Sequence, residues 1–206
     1  MRIAPLLAVL AIASGLTLAV RTEAAGSASH VVRVVDELGA PVEGAVVELR
    51  TPTTHAPASF PWRAAMAQKG LAFVPGTLVV AKGSSVAFPN LDRVRHSVYS
   101  FSAPARFSID LYGRDQSRSQ SFPVAGTVAV GCKIHDTMRA TIRVVDTPFA
   151  GKTDANGRLT LEAAPVGAAT LVVWHPRARA AEGQVIGAVA TAVGGSTTTV
   201  TLPLMR

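Results

Sequence analysis

The chain of 206 residues carries 20 Lys and Arg against 13 Asp and Glu, a formal net charge of +7, yet only 5% of it is aromatic. No Lys/Arg run interleaves with aromatics, so nucleic acid is excluded as the natural partner, and an acidic protein or membrane surface fits the charge better. One cysteine in the whole chain also excludes an internal disulfide.

Residues 1–24 read as a secretory signal. Arg2 supplies the positive start, Ile3 to Val20 carry no charge, and Thr22-Glu23-Ala24 offers small residues for cleavage before Ala25. A periplasmic or secreted location follows. The competing reading is a retained anchor, because the apolar stretch reaches the minimum length of a spanning helix. Pro5, Ser14, Gly15 and Thr17 weaken it in that role, and no later segment could span a bilayer. Cleavage takes one unit from the net charge.

Beyond the signal, strand formers dominate. Val31 to Val35 runs into the turn Asp36 to Pro41 and then Gly44 to Leu49, while residues 51–64, with Pro52, Pro57 and Pro61, read as a linker or irregular loop. From Leu71 the strands are short and evenly punctuated: 71–75, 77–81, 86–88, 97–101, 106–111, 120–122, 127–131 and 139–145. The Asn156-Gly157 pair then signals a hairpin. Strand-forming runs at 169–174, 184–189 and 197–202 close the chain. No 3.6-residue apolar period survives, so the expected fold is all-β, a sandwich or small barrel.

The chemistry concentrates in Gly131-Cys132-Lys133-Ile134-His135-Asp136-Thr137-Met138, a Cys-x2-His-x2-Met loop, with His96 upstream after Asn90-Leu91-Asp92. One thiolate, two imidazoles and a weak axial thioether form the ligand set of a blue-copper electron-transfer site. His96 should begin a strand, and Cys132 should end one, with His135 and Met138 in the loop beyond. Each residue alone has an ordinary reading: a turn histidine, a buried thiol, a core methionine. Zinc is the rival metal, but it favours a fourth Cys, His or carboxylate over methionine, and Asp136 is the nearby candidate. A Cys132–His135 nucleophile pair lacks a third orienting group. His175, at a strand end before Pro176, reads as structural. His30 and His55 fall in flexible flanking segments and carry no signal.

These motifs resemble the cupredoxins of the amicyanin and plastocyanin-like type. The match includes the short Cys-x2-His-x2-Met loop and an Asn-x-Asp…His loop. More of the chain is similar to periplasmic plastocyanin-like proteins often labelled methylamine utilisation proteins, through Phe88-Pro89-Asn90-x-Asp92…His96-x-Val98-Tyr99-Ser100-Phe101-Ser102, Thr147-Pro148-Phe149 and Trp174-His175-Pro176. The resemblance implies a cupredoxin-like Greek-key β-sandwich over 65–147. It also implies one type 1 copper on His96, Cys132, His135 and Met138, and a non-enzymatic electron carrier. Asn90 would tie the two ligand loops together from behind the ligands, its competing reading being an ordinary turn asparagine. Thr137 and Arg95 depart from the family pattern and bear on the partner surface. Nothing in these residues binds an amine or a quinone.

Val-x-Val-Val-Asp36-x-x-Gly39-x-Pro41 and Thr153-Asp154-x-x-Gly157-x-Leu159 resemble two halves of a carboxypeptidase-regulatory-like β-sandwich. The copper-type domain would then be inserted in, or packed beside, a sandwich split over 28–60 and 148–206; generic hairpins flanking one domain is the other reading. The expected partner is a periplasmic redox protein, a cytochrome c or a dehydrogenase. Arg93 and Arg95 (with Arg106, Arg114 and Arg118 nearby) and Ile134 form the candidate docking surface, or else a solvated basic face. A copper carrier or sequestering protein and a metal-free binding or scaffold module are the alternative functions.

Overall fold

β-branched and aromatic runs, broken by Gly, Pro and Asx turns, leave this chain little choice but short strands. In the computed structural model, which describes residues 27–52 and 59–205, the chain is all-β, as expected, with one short 3-10 turn at Ala181–Gly183. The strands are β1 (Ser27–Val35), β2 (Val46–Arg50), β3 (Ala67–Gln68), β4 (Phe73–Val74), β5 (Thr77–Ala81), β6 (Ser85–Pro89), β7 (His96–Ser102) and β8 (Ala105–Tyr112). They continue as β9 (Ser117–Ser121), β10 (Gly126–Gly131), β11 (Arg139–Val145), β12 (Ala150–Lys152), β13 (Arg158–Pro165), β14 (Gly167–Trp174), β15 (Gln184–Thr191) and β16 (Ser196–Thr201). No helix among the described residues is long and apolar enough to cross a membrane. The expected signal, residues 1–24, and His55 lie outside the described residues.

The middle of the chain builds one five-stranded sheet, in the order β5-β11-β10-β7-β8, faced by the pairs β6-β9 and β3-β4. All its neighbours run antiparallel except β5 and β11. Alternation sends Val98, Val128, Ile142 and Val144 inward against Phe88 and Phe122, a dry core that also takes in Cys132 and Met138. The two ends of the chain build the sheets β13-β1-β16 and β12-β2-β14-β15 around Val32, Val34, Leu49, Leu171 and Leu202. Val46, Val79, Val145, Ala150 and Trp174 pack between the two groups of sheets.

Two expectations are corrected here. Asn156-Gly157 turns tightly but closes no hairpin, because β12 pairs with β2 in one sheet and β13 with β1 in the other. The Asp154 carboxylate accepts the N–H groups of Asn156 and Arg158, and the Gly157 carbonyl accepts the Val34 N–H at 2.7 Å. Gly157 has φ +70°, and a Cβ there would stand 2.4 Å from the Val34 carbonyl oxygen. The turn therefore carries the chain from one sheet to the next. His30, expected in a flexible flank, instead lies fully buried in β1, its Nδ1 2.6 Å from Ser196 Oγ. Parallel pairing of β1 with β16 covers it.

Candidate metal centre

Two loops at one end of the five-stranded sheet converge. The first runs from Asn90 to His96 and is held from within. Buried Asn90 accepts the Asp92 N–H on Oδ1 and donates through Nδ2 to the carbonyls of Val94 and Tyr112. His96 then opens β7, fully buried. The second loop follows β10 and folds back on itself, with Met138 N–H donating to the His135 carbonyl and Cys132 N–H to the Met138 carbonyl. That ring of backbone bonds brings His135 back over Cys132. Cys132 and Met138 stay buried, whereas Ile134 is 52% exposed and His135 is partly open.

The result is a triangle of donor atoms. His96 Nδ1 and His135 Nδ1 are 3.1 Å apart, and Cys132 Sγ stands 3.9 and 3.7 Å from them. A point equidistant from three atoms so spaced lies about 2.1 Å from each, within the 2.0–2.3 Å range of metal bonds to imidazole nitrogen and thiolate sulfur. No other His, Cys, Asp or Glu among the described residues joins the cluster. Asp136, the carboxylate that zinc would have recruited, is exposed and outside it.

The surroundings of Cys132 favour the thiolate, the form that ligates. Burial pushes the Cys132 thiol up. The backbone N–H groups of Ser97 and Ile134 and the imidazoles of His96 and His135 outweigh that, bringing its pKa down to about 6. His96 Nε2 lies 2.9 Å from Asp92 Oδ2, so the neutral ring carries its proton on Nε2 and turns the Nδ1 lone pair into the triangle. Burial alone would raise the Asp92 carboxyl, but the N–H groups of Leu71 and Gly70, and His96, hold it below its ordinary value. A soft thiolate and two imidazole lone pairs converging on one point suit copper or another thiophilic ion.

Asn90 does not tie the two ligand loops. Its side-chain partners all belong to the His96 loop and the end of β8, and its backbone bonds Gln116 and Asp115 in the turn after β8. Ser97 makes the tie: its Oγ accepts the Lys133 N–H at 2.9 Å and lies 3.7 Å from Cys132 Sγ. Asp92 and Ser97 are the residues that sequence reasoning missed. Their only local signals are a carboxylate four positions before His96 and a hydroxyl directly after it. His175 stays apart, accepting the Arg177 N–H on Nδ1, and burial first and Arg177 second lower its pKa.

Arg93 and Arg95 are exposed on the His96 loop, Arg95 donating to the Leu111 carbonyl. Arg106, Arg114 and Arg118 are exposed too; Arg114 pairs with Asp115, and Arg118 lies over the Tyr112 ring.

No protein-family model matches the chain, and no curated protein matches it. Among solved structures it is similar to a purple cupredoxin from Nitrosopumilus maritimus, at 17% identity and TM-score 0.36, over 40% of this chain and 99% of that one. It is likewise similar to a reduced Cu(I) form of an amicyanin mutant, at 20% identity and TM-score 0.38, over 48% of this chain and 98% of that one. The oxidised state of another amicyanin mutant matches at 19% identity, with the same coverage and TM-score.

Proposed function

We propose that this chain is an exported mononuclear copper protein that carries single electrons and acts on no substrate. The observation that carries the proposal is the His96–Cys132–His135 triangle, whose three donor atoms are equidistant from a point at metal-bonding range. Copper held there would supply a one-electron Cu(II)/Cu(I) couple. Cys132 would hold the copper through its thiolate and His96 and His135 through their Nδ1 atoms, with Met138, buried in the same core as Cys132, offering its thioether. A frame of β-strands that keeps these donors in one arrangement favours fast exchange, since little has to move between oxidation states. The part-exposed His135 is the port for electrons. Asp136 outside the cluster speaks against zinc.

Export rests on the signal-like residues 1–24, and the periplasm is the compartment in which the partner would be met. That partner is an acidic cytochrome c or dehydrogenase, steered by Arg93 and Arg95 toward Ile134. The outer sheets form the split carboxypeptidase-regulatory-like sandwich that carries the copper domain.

The test is reconstitution with Cu(II), followed by optical and EPR spectra. One equivalent of copper, an intense thiolate charge-transfer band and a reversible potential are expected, and Cys132→Ser should abolish the band while the strand signal in circular dichroism persists. The same band in the Cys132→Ser protein would disprove the site. Copper that binds without a reversible couple would turn the reading toward sequestration. Met138→Gln should keep copper and lower the potential.

A further inference from the structure

We infer that Asp92 is a positioning residue of this centre, and that the tip of the β3–β4 hairpin exists in its present form to hold it. The inference rests on the copper reading above. Asp92 Oδ2 lies 2.9 Å from His96 Nε2, on the side of the ring opposite the triangle, and a carboxylate there can only accept a hydrogen bond from an Nε2–H. His96 is fully buried, so its ring has no solvent with which to exchange that partner. One tautomer is thereby selected, the one whose Nδ1 is free to ligate.

The carboxylate is itself gripped. Gly70 N–H donates to Oδ1 at 2.6 Å and Leu71 N–H to Oδ2 at 3.0 Å. Gly70 and Leu71 have φ of +64° and +57°, two consecutive left-handed residues whose N–H groups converge on one anion. Glycine adopts that conformation freely, but leucine does so only under strain. Strain at such a point is what an aimed backbone donor costs. The hairpin is anchored beside this grip through Gln68. The Gln68 carbonyl accepts the Leu91 N–H, next to Asp92 in sequence, and Gln68 Nε2 donates to Tyr112 Oη. Asp92 N–H donates in turn to Asn90 Oδ1. A negative charge fixed behind the imidazole makes His96 a more basic ligand and stabilises Cu(II) over Cu(I), lowering the potential.

The experiment has two arms. In the metal-free wild-type chain, 15N NMR should find His96 predominantly with its proton on Nε2; a ring protonated on Nδ1 would overturn the inference whether or not any variant folds. In the copper-loaded chain, Asp92→Asn should shift the relative affinity about tenfold toward Cu(I), which raises the potential by about 59 mV. Asp92→Glu should recover part of the shift. Asp92→Asn protein with an intact thiolate band and the wild-type potential would overturn it. If wild-type protein takes up no copper, the copper reading fails, and the metal-free arm still decides whether Asp92 sets the ring.

Discussion

Arg143 on β11 donates from Nε to Glu48 on β2 at 2.6 Å, across the boundary between the five-stranded sheet and the outer sheets. Glu48 is fully buried and Arg143 is 5% exposed. The remaining guanidinium nitrogens reach Thr127 Oγ1 and Gln184 Oε1, and the group lies over the Trp174 ring. Each guanidinium nitrogen has a partner, and the second Glu48 oxygen accepts Arg50. The pair thus clamps the two halves of the molecule with its desolvation offset by a full set of partners.

Arg143→Leu should destabilise the fold by about 3 kcal/mol, the low end for breaking a buried pair, because Arg50 still partners Glu48. Glu48→Leu with Arg143→Leu should recover most of that loss, since neither charge is then left buried. Urea unfolding followed by circular dichroism measures both. A single variant as stable as wild type would show that the clamp contributes nothing.

Ala163 gives a test of backbone strain. It sits exposed in β13 with φ +54°, where β1 and β13 lose register between Ala28 and His30. Ala163→Gly removes a left-handed penalty of about 1–2 kcal/mol and adds about 0.5–1 kcal/mol of backbone entropy in the unfolded chain. A gain of roughly 0.5–1 kcal/mol should result. A lower unfolding midpoint would mean that the methyl makes contacts worth more than the strain.

The ligand loop was legible because its geometry is local: three-residue steps from Cys132 to His135 to Met138 lie in one turn of chain. The strands were legible from their Val, Thr and Phe runs. What stayed hidden depends on distant approaches. Asp92 meets Gly70 and Leu71 from 22 and 21 positions away, and Arg143 meets Glu48 from 95. Asn156-Gly157 misled because its local signal specifies the turn, whereas the sheet each flank joins depends on β1 and β2 far upstream. His30 looked idle because its cover, β16, arrives at the other end of the chain.

Ser97 supplies a prediction about the thiolate. Its Oγ already accepts the Lys133 N–H, and a deprotonated Cys132 can only accept, so the Ser97 O–H is the donor to sulfur. Ser97→Ala should leave the sulfur more electron-rich and lower the copper potential, while Ser97→Thr should hold it near wild type. Stability should fall by about 1 kcal/mol as the Lys133 N–H loses its partner. An unchanged potential in the alanine variant would mean that the 3.7 Å contact does not tune the site.

His30 should make the fold acid-sensitive. Burial lowers its pKa below the ordinary 6.5, and its buried Nε2 has no hydrogen-bond partner among the described residues. A proton there would place an unpartnered charge in the core, so the native state resists a proton that the unfolded chain accepts. Stability from this residue is therefore complete above about pH 6.5 and declines as the pH falls below it, because the unfolded state then binds more protons. Cys132 and His175 add slopes of the same sign, so the informative quantity is the difference between wild type and His30→Gln. Urea midpoints at pH 7.5 and pH 5 should drop less in the variant than in wild type. Equal drops in the two proteins would show that His30 takes up its proton in the native state as readily as in the unfolded chain.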